Sequence, residues 1–270
     1  DGMVDMMIDA TTNCFKPLTK ERLFDWHAEL FTTGRSGMLR IIVADWRKDT
    51  SGPMQVVSGA AGREEIHFQA PDADLIDMEM ERFLKWFNEE KKIDLVVKAA
   101  IAHLWFVTIH PFQDGNGRIA RALTDMLLAQ SDKSTQRFYS MSAQIRVERR
   151  DYYEMLEKTQ KGNLDISKWI NWFLRCLINA LQATDKILTR VLFKADFWNR
   201  HSKTVLNDRQ KKVLNKLLEG FEGKLTSMKW AKIANCSKDT AIRDINDLID
   251  KNVLQKNSAG GRSTSYGLGK

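Results

Sequence analysis

Residues 95 to 130 constrain this chain more than any other stretch. Leu95 to Ile109 is a largely apolar run without proline or glycine. Ile119 to Gln130 then places Ile119, Leu123, Met126 and Leu127 along one side of a helix. Between them lies His110-Pro111-Phe112-Gln113-Asp114-Gly115-Asn116-Gly117-Arg118. The pattern predicts two helices joined by a short loop, with Gly117-Arg118 opening the second.

That placement gives the loop its chemistry. A helix start leaves backbone N–H groups without intrahelical partners and carries a partial positive charge, so it attracts phosphate. Gly115 and Gly117 tolerate positive φ and do not obstruct close approach, so successive N–H groups around them can converge on an anion. Arg118 and Arg121, three apart, can both fork onto phosphate oxygens at that helix end. Asp114 would repel phosphate by itself, which makes sense if Mg²⁺ lies between the carboxylate and the phosphates. His110 has the one side chain in the loop that titrates near neutrality, hence the natural general base.

His110 to Arg121 resembles, position for position, the His-x-Phe-x-(Asp/Glu)-Gly-Asn-Gly-Arg-x-x-Arg signature of the Fic domain. The resemblance covers most of residues 1–200 and implies a mainly α fold, a Fic-type helical bundle. It also implies transfer of AMP from ATP to a Ser, Thr or Tyr hydroxyl of a target protein, the chain itself included. His110 would be the base, Asp114 the Mg²⁺ ligand and Phe112 an apolar anchor. Gly115, Asn116, Gly117 and Arg118 would cradle phosphates, and Arg121 would grip the γ-phosphate. Two other readings stay open: transfer of another phosphate-linked group, and a nucleotide-sensing regulator of transcription.

Upstream of residue 95, Met3 to Asn13, Thr19 to Phe31 and Pro71 to Asn88 read as helices, with residues 32–53 loop-like. Met54 to Ser58 and Glu65 to Gln69 read as a β-hairpin. Isolated hairpins are marginal, so one beside a helical core asks for a reason. The resemblance implies a flap that docks an extended piece of the target by strand addition, with Ile66, His67 and Phe68 at its edge. Downstream, residues 142–160 and 166–198 read as helices. The resemblance implies that Tyr153 and Gln160 lie over the adenine or ribose, whereas the periodicity of Tyr152, Met155, Leu156 and Thr159 is met by ordinary helix packing.

The net charge of +7 is unevenly placed. Residues 201–270 hold 14 Lys and Arg against 7 Asp and Glu, whereas residues 1–200 hold 28 of each. This divides the chain into residues 1–200 and 201–270. In the second part, helices over about 207–218, 227–235 and 237–251 precede two strands around a Gly260-Gly261-Arg262 tip, resembling a winged helix-turn-helix. Lys238, Thr240, Ala241 and Arg243 would face a DNA major groove, with Lys256 and Arg262 on the wing, while Asp239, Asp244 and Asp247 dilute that face. Such modules also dock proteins or pair as homodimers. Three scattered cysteines argue against a disulfide framework or zinc site and for a reducing, cytoplasmic compartment.

The resemblance raises one further expectation. Many Fic proteins carry a helix with Ser/Thr-x-x-x-Glu-Gly/Asn whose glutamate pairs with the second arginine of the signature. No match occurs in this sequence and Asp1 is not an initiator, so such a segment is expected upstream, with Arg121 unpaired here.

Overall fold

The computed structural model describes all residues except 1, 50, 51, 60–62, 64, 135, 136, 258–263 and 270. They form two units, Asp1–Ala183 and Thr184–Lys270.

The first unit is built on the two central helices. α1 (Gly2–Thr12), α2 (Lys20–Leu30) and α3 (Ile76–Glu89) precede α4 (Leu95–Ile109) and α5 (Asn116–Asp132). The Asp94 carboxylate caps α4 by accepting from the N–H groups of Val96 and Val97. α4 buries Ala99, Ala100 and Ala102 as well as Phe106, and α5 buries Ala120 and Ala122 beside Leu123 and Leu127. Small residues on both helices permit close approach, and the aromatic and leucine side chains fill the space around them. Around this pair pack Met6 and Ala10 of α1, Leu23 and Trp26 of α2, and Phe83 and Phe87 of α3. α6 (Met141–Val147), α7 (Arg149–Gln160) and the start of α8 (Ser167–Arg200) complete the unit, with Trp169, Phe173 and Cys176 buried.

Two local features differ from the sequence pattern. Residues 142–160 are two helices, broken at Glu148, whose carboxylate accepts hydrogen bonds from Gln144 and from Asn179 of α8. Tertiary bonding there overrides a continuous helical period. Within the segment read as loop, β1 (Arg35–Ser36) and β2 (Leu39–Arg40) form a small antiparallel hairpin. Its turn contains Gly37 at φ 57°, a conformation glycine adopts without steric cost. The larger hairpin is as expected: β3 (Gln55–Ser58) and β4 (Glu65–Gln69) are antiparallel, with a bulge between Val56 and Val57.

In the second unit, α9 (Asp208–Leu218), α10 (Ser227–Ala234) and α11 (Lys238–Asp250) enclose a core of Val213, Leu214, Trp230, Ile245 and Leu248. Asn207 and Gln210 form a reciprocal capping box at the start of α9. β5 (Leu254–Lys256) and β6 (Tyr266–Leu268) pair antiparallel. The Gly260-Gly261-Arg262 tip lies outside the described residues. The unit begins at 184 rather than at 201, because packing follows apolar contact and not charge: Phe197 is buried in this core. Ala241, expected to face outward, is also fully buried there. Asp244 is buried as well, paired with Arg209 at 2.9 Å, so it does not dilute the outer face of α11.

Candidate active site

The loop between α4 and α5 is held by residues from four other places in the sequence. It begins at His110, which ends α4 in the left-handed conformation at φ 53°. A non-glycine residue there stores strain and needs surrounding contacts to keep it in place. Arg47 supplies them. Its side chain is fully buried; its backbone N–H donates to the Pro111 carbonyl at 2.9 Å and its Nε to the His110 carbonyl at 2.8 Å. The remaining guanidinium nitrogens donate to Asp49 and to the Pro71 carbonyl.

The His110 ring is oriented for proton transfer. Its Nδ1 lies 3.2 Å from the Val107 carbonyl, which can only accept, so Nδ1 carries the proton and Nε2 keeps its lone pair. Burial holds this imidazole below the usual histidine range, with the Val107 bond opposing and the charge of Arg47 adding to the shift. It is therefore neutral near pH 7 and able to accept a proton.

Phe112 and Asn116 close the turn. The Asn116 side chain accepts from the Phe112 N–H at 3.0 Å and donates to the Phe112 carbonyl at 2.7 Å. Both polar ends of that amide are thus committed to the loop. Asn116 can offer a phosphate its backbone N–H, which together with that of Gly117 has no hydrogen-bond partner among the described residues. Phe112 is fully buried and stacks on the ring of His27, with centroids 4.2 Å apart. His27 has a defined tautomer: the Ala44 N–H donates to Nδ1, so Nε2 donates to the Asp114 carbonyl.

The Asp114 carboxylate faces the helix start. It accepts from the Ser36 hydroxyl of the small hairpin and from the Gly115 N–H, and lies 3.3 Å from Arg118. Burial would raise its pKa, but these hydrogen bonds and the arginine bring it below the usual carboxylate range. It is ionised at neutral pH. Among the described residues no group of three or more His, Cys, Asp or Glu could hold a metal by itself. A lone ionised carboxylate beside a helix start with unpartnered N–H groups nevertheless fits Mg²⁺, which usually takes one or two carboxylates and completes its shell with phosphates and water.

Gly115 has φ 87°, and a Cβ there would lie 2.9 Å from the Phe31 ring. Phe31 in turn supports Arg118, whose guanidinium sits 4.6 Å from its centroid. Arg121 lies on the next turn; the Asp125 carboxylate feels its charge but is ion-paired to Arg137 at 2.7 Å.

Residues 17–128 match the Fic/DOC family model. That segment is a Fic domain. The chain is 38% identical over 64 residues to a probable protein adenylyltransferase of Aquifex aeolicus strain VF5, a match covering 24% of this chain and 20% of that protein. It is 35% identical over 99 residues to the protein adenylyltransferase Fic of Drosophila melanogaster, covering 36% of this chain and 18% of the relative. The chain therefore spans about a fifth of the length of these curated relatives. Among solved structures it is similar to a Fic family protein from Desulfovibrio desulfuricans G20, with TM-score 0.53 and 20% identity, over 97% of this chain and 72% of that one. A Fic domain containing signaling protein from Bacteroides thetaiotaomicron VPI-5482 gives TM-score 0.51 and 21% identity, over 68% and 67% respectively. These structural likenesses concern the fold.

Around the Fic motif the other expected positions fall as follows. Ile66 on β4 is half exposed and Phe68 half-buried. His67 turns toward α7, bonded to Glu157 at 2.7 Å and across the hairpin to Ser58 at 2.6 Å. Tyr153 is half exposed, and Gln160 donates to Thr108 Oγ1 at 3.1 Å, near the end of α4. Sequence reasoning missed His27, Ser36 and Arg47. Only His27 left a trace, a polar residue on the apolar face that α2 forms with Leu23 and Trp26. No helix among the described residues is long and apolar enough to cross a membrane.

Proposed function

We propose that this chain is a protein adenylyltransferase, moving AMP from Mg-ATP to a hydroxyl side chain of a target protein. One observation carries the reading: His110 Nε2 holds a free lone pair while Nδ1 is tied to the Val107 carbonyl, beside a carboxylate and a helix start. His110 takes the proton of the target hydroxyl, and that oxygen bonds to the α-phosphorus of ATP. The bond from the α-phosphorus to the bridging oxygen breaks, and diphosphate leaves with the electron pair. The Asn116 and Gly117 N–H groups and Arg118 bind the phosphates, Arg121 grips the far end, and Tyr153 and Gln160 lie along the nucleoside. Asp114 would hold Mg²⁺, which when bound would supply charge neutralisation for the phosphates. Catalysis is chiefly positioning and electrostatic stabilisation. The flap, through Ile66 and Phe68, aligns the target by strand addition. Intact-mass measurement after incubation with Mg-ATP and candidate targets tests the reading. Addition of AMP supports it; addition of phosphate alone, or of nothing, overturns it.

A second activity is favoured for residues 184–270, which we read as a winged-helix module contacting DNA. Asp244 is buried against Arg209 and Asp247 is bonded to Lys251 and Gln210, which leaves Asp239 as the exposed acidic neighbour of the exposed Lys238 and Arg243 on α11. Thr240 there is partly exposed and Lys256 on β5 is exposed. Arg262, expected on the wing, lies outside the described residues. Gel shifts at several salt concentrations test it: binding must weaken as salt rises. Absence of binding at low salt removes the reading.

A further inference from the structure

A chain of buried side-chain hydrogen bonds crosses three helices of the first unit without touching the motif loop. Tyr152 of α7 lies 2.9 Å from His103 Nε2 on α4, and His103 Nδ1 lies 2.9 Å from Thr124 Oγ1 on α5. Thr124 Oγ1 is also 2.9 Å from the Ala120 carbonyl. His103 and Thr124 are completely buried and Tyr152 nearly so.

Every proton in this chain has one place to be. The Ala120 carbonyl only accepts, so Thr124 donates to it and its oxygen accepts from His103. His103 Nδ1 therefore carries hydrogen, and Nε2 accepts the phenolic proton of Tyr152. Burial, assisted by the charge of Arg121, pushes the imidazole down to about 3, so this arrangement holds throughout the physiological range. Burial likewise raises the Tyr152 phenol, with Arg121 opposing, and keeps its proton in place.

What the chain joins gives it meaning. His103 is two turns before His110 on α4. Thr124 is one turn beyond Arg121 on α5, and Tyr152 precedes Tyr153 on α7. The Arg121 guanidinium is close enough for its charge to act on both His103 and Tyr152, as it does on the Asp125 carboxylate one turn further along α5. We propose that Tyr152, His103 and Thr124 are positioning residues. Together they fix the separation between Arg121, at the far end of the triphosphate, and Tyr153, at the nucleoside. The proposal rests on the reading above, in which those two residues hold opposite ends of ATP.

A spacing device has a signature that packing alone lacks. A ligand that uses one end of the site is indifferent to the separation, whereas ATP must satisfy both ends at once. Affinities for ATP, AMP and inorganic tripolyphosphate are therefore measured by calorimetry on the full chain and on Tyr152→Phe, Thr124→Val, Thr124→Ser and Arg121→Ala. Tyr152→Phe and Thr124→Val each leave a buried ring nitrogen unpaired and should weaken ATP about tenfold. AMP and tripolyphosphate should change by less than about twofold, and Thr124→Ser, which keeps the hydroxyl, should retain ATP affinity. Circular dichroism reports folding, and two substitutions at opposite ends of the chain keep the test alive if one fails to fold. Equal losses for all three ligands, or unchanged ATP affinity, overturn the relay. Unchanged ATP affinity in Arg121→Ala would instead remove the assignment of Arg121, and the relay with it.

Discussion

Asn116 offers the sharpest separation between a loop staple and a ligand contact. Its amide makes two hydrogen bonds to the backbone of Phe112, and both residues are buried. Asn116→Ala leaves the Phe112 N–H and carbonyl without partners. Each unsatisfied buried group costs about 1–3 kcal/mol, so about 2–6 kcal/mol is expected for the two. Set against a total stability of about 5–15 kcal/mol, that is a large fraction. The loss must occur without nucleotide. It is measured by urea unfolding followed through near-ultraviolet dichroism, together with hydrogen exchange at the Phe112 amide, whose protection should fall most. Asn116→Asp provides a second reading: one carboxylate oxygen still accepts from the Phe112 N–H, but the other faces the Phe112 carbonyl. Its deficit should shrink on acidification, as a protonated carboxyl regains a donor. A ligand-free Asn116→Ala that loses less than about 1 kcal/mol yet binds ATP poorly would refute the staple.

Four further outcomes follow from the geometry. His110→Ala should lower AMP transfer about 10²–10⁴-fold while ATP binding persists, because the phosphate-binding helix start is intact; retained transfer would exclude His110 as base. Since burial depresses the His110 pKa, the acid limb of the transfer rate should fall below pH 6.5, and a limb centred above that value would contradict the buried ring. His103 should make stability pH-dependent: the unfolded chain protonates it below about 6.5 and the folded chain only near 3, so stability is complete above 6.5 and falls by about 1.4 kcal/mol per unit beneath it. Denaturation at pH 7 and 5 should show this slope diminished in His103→Leu, and an equal slope in both proteins would be the contrary result. Ile66→Pro should impair modification of a protein target by blocking strand addition while leaving ATP affinity intact, and parallel losses would make the hairpin merely structural.

Much of the helical framework was legible because its signals are local. Asp94 caps the helix it precedes, Thr19 and Asn207 do the same for theirs, and the apolar period of α5 locates its buried side. The twelve-residue motif was legible for the same reason, since its parts are adjacent in sequence. The supports of the motif were not. Ser36, His27 and Arg47 reach it from 78, 87 and 63 residues away, and no spacing rule connects them to it. Glu148 breaks a continuous helical pattern through a bond to α8, and Asp244 turns inward because Arg209 of α9 meets it there. In each case the deciding partner is distant in sequence, whereas a periodicity argument sees only neighbours.

Arg47 has a consequence for how far a docked peptide can lie from the base. One guanidinium holds the His110 carbonyl and also the Pro71 carbonyl, two residues beyond the end of β4. The root of the hairpin and His110, the proposed base, are thus referred to a common fixed point. A strand added to β4 is measured from the same mark as the imidazole. In the proposed reaction its register, rather than the chemistry of the loop, would then select which hydroxyl comes within reach. Changing the length of the segment between Gln69 and Pro71 should accordingly shift the modified position along a target peptide without changing what is transferred.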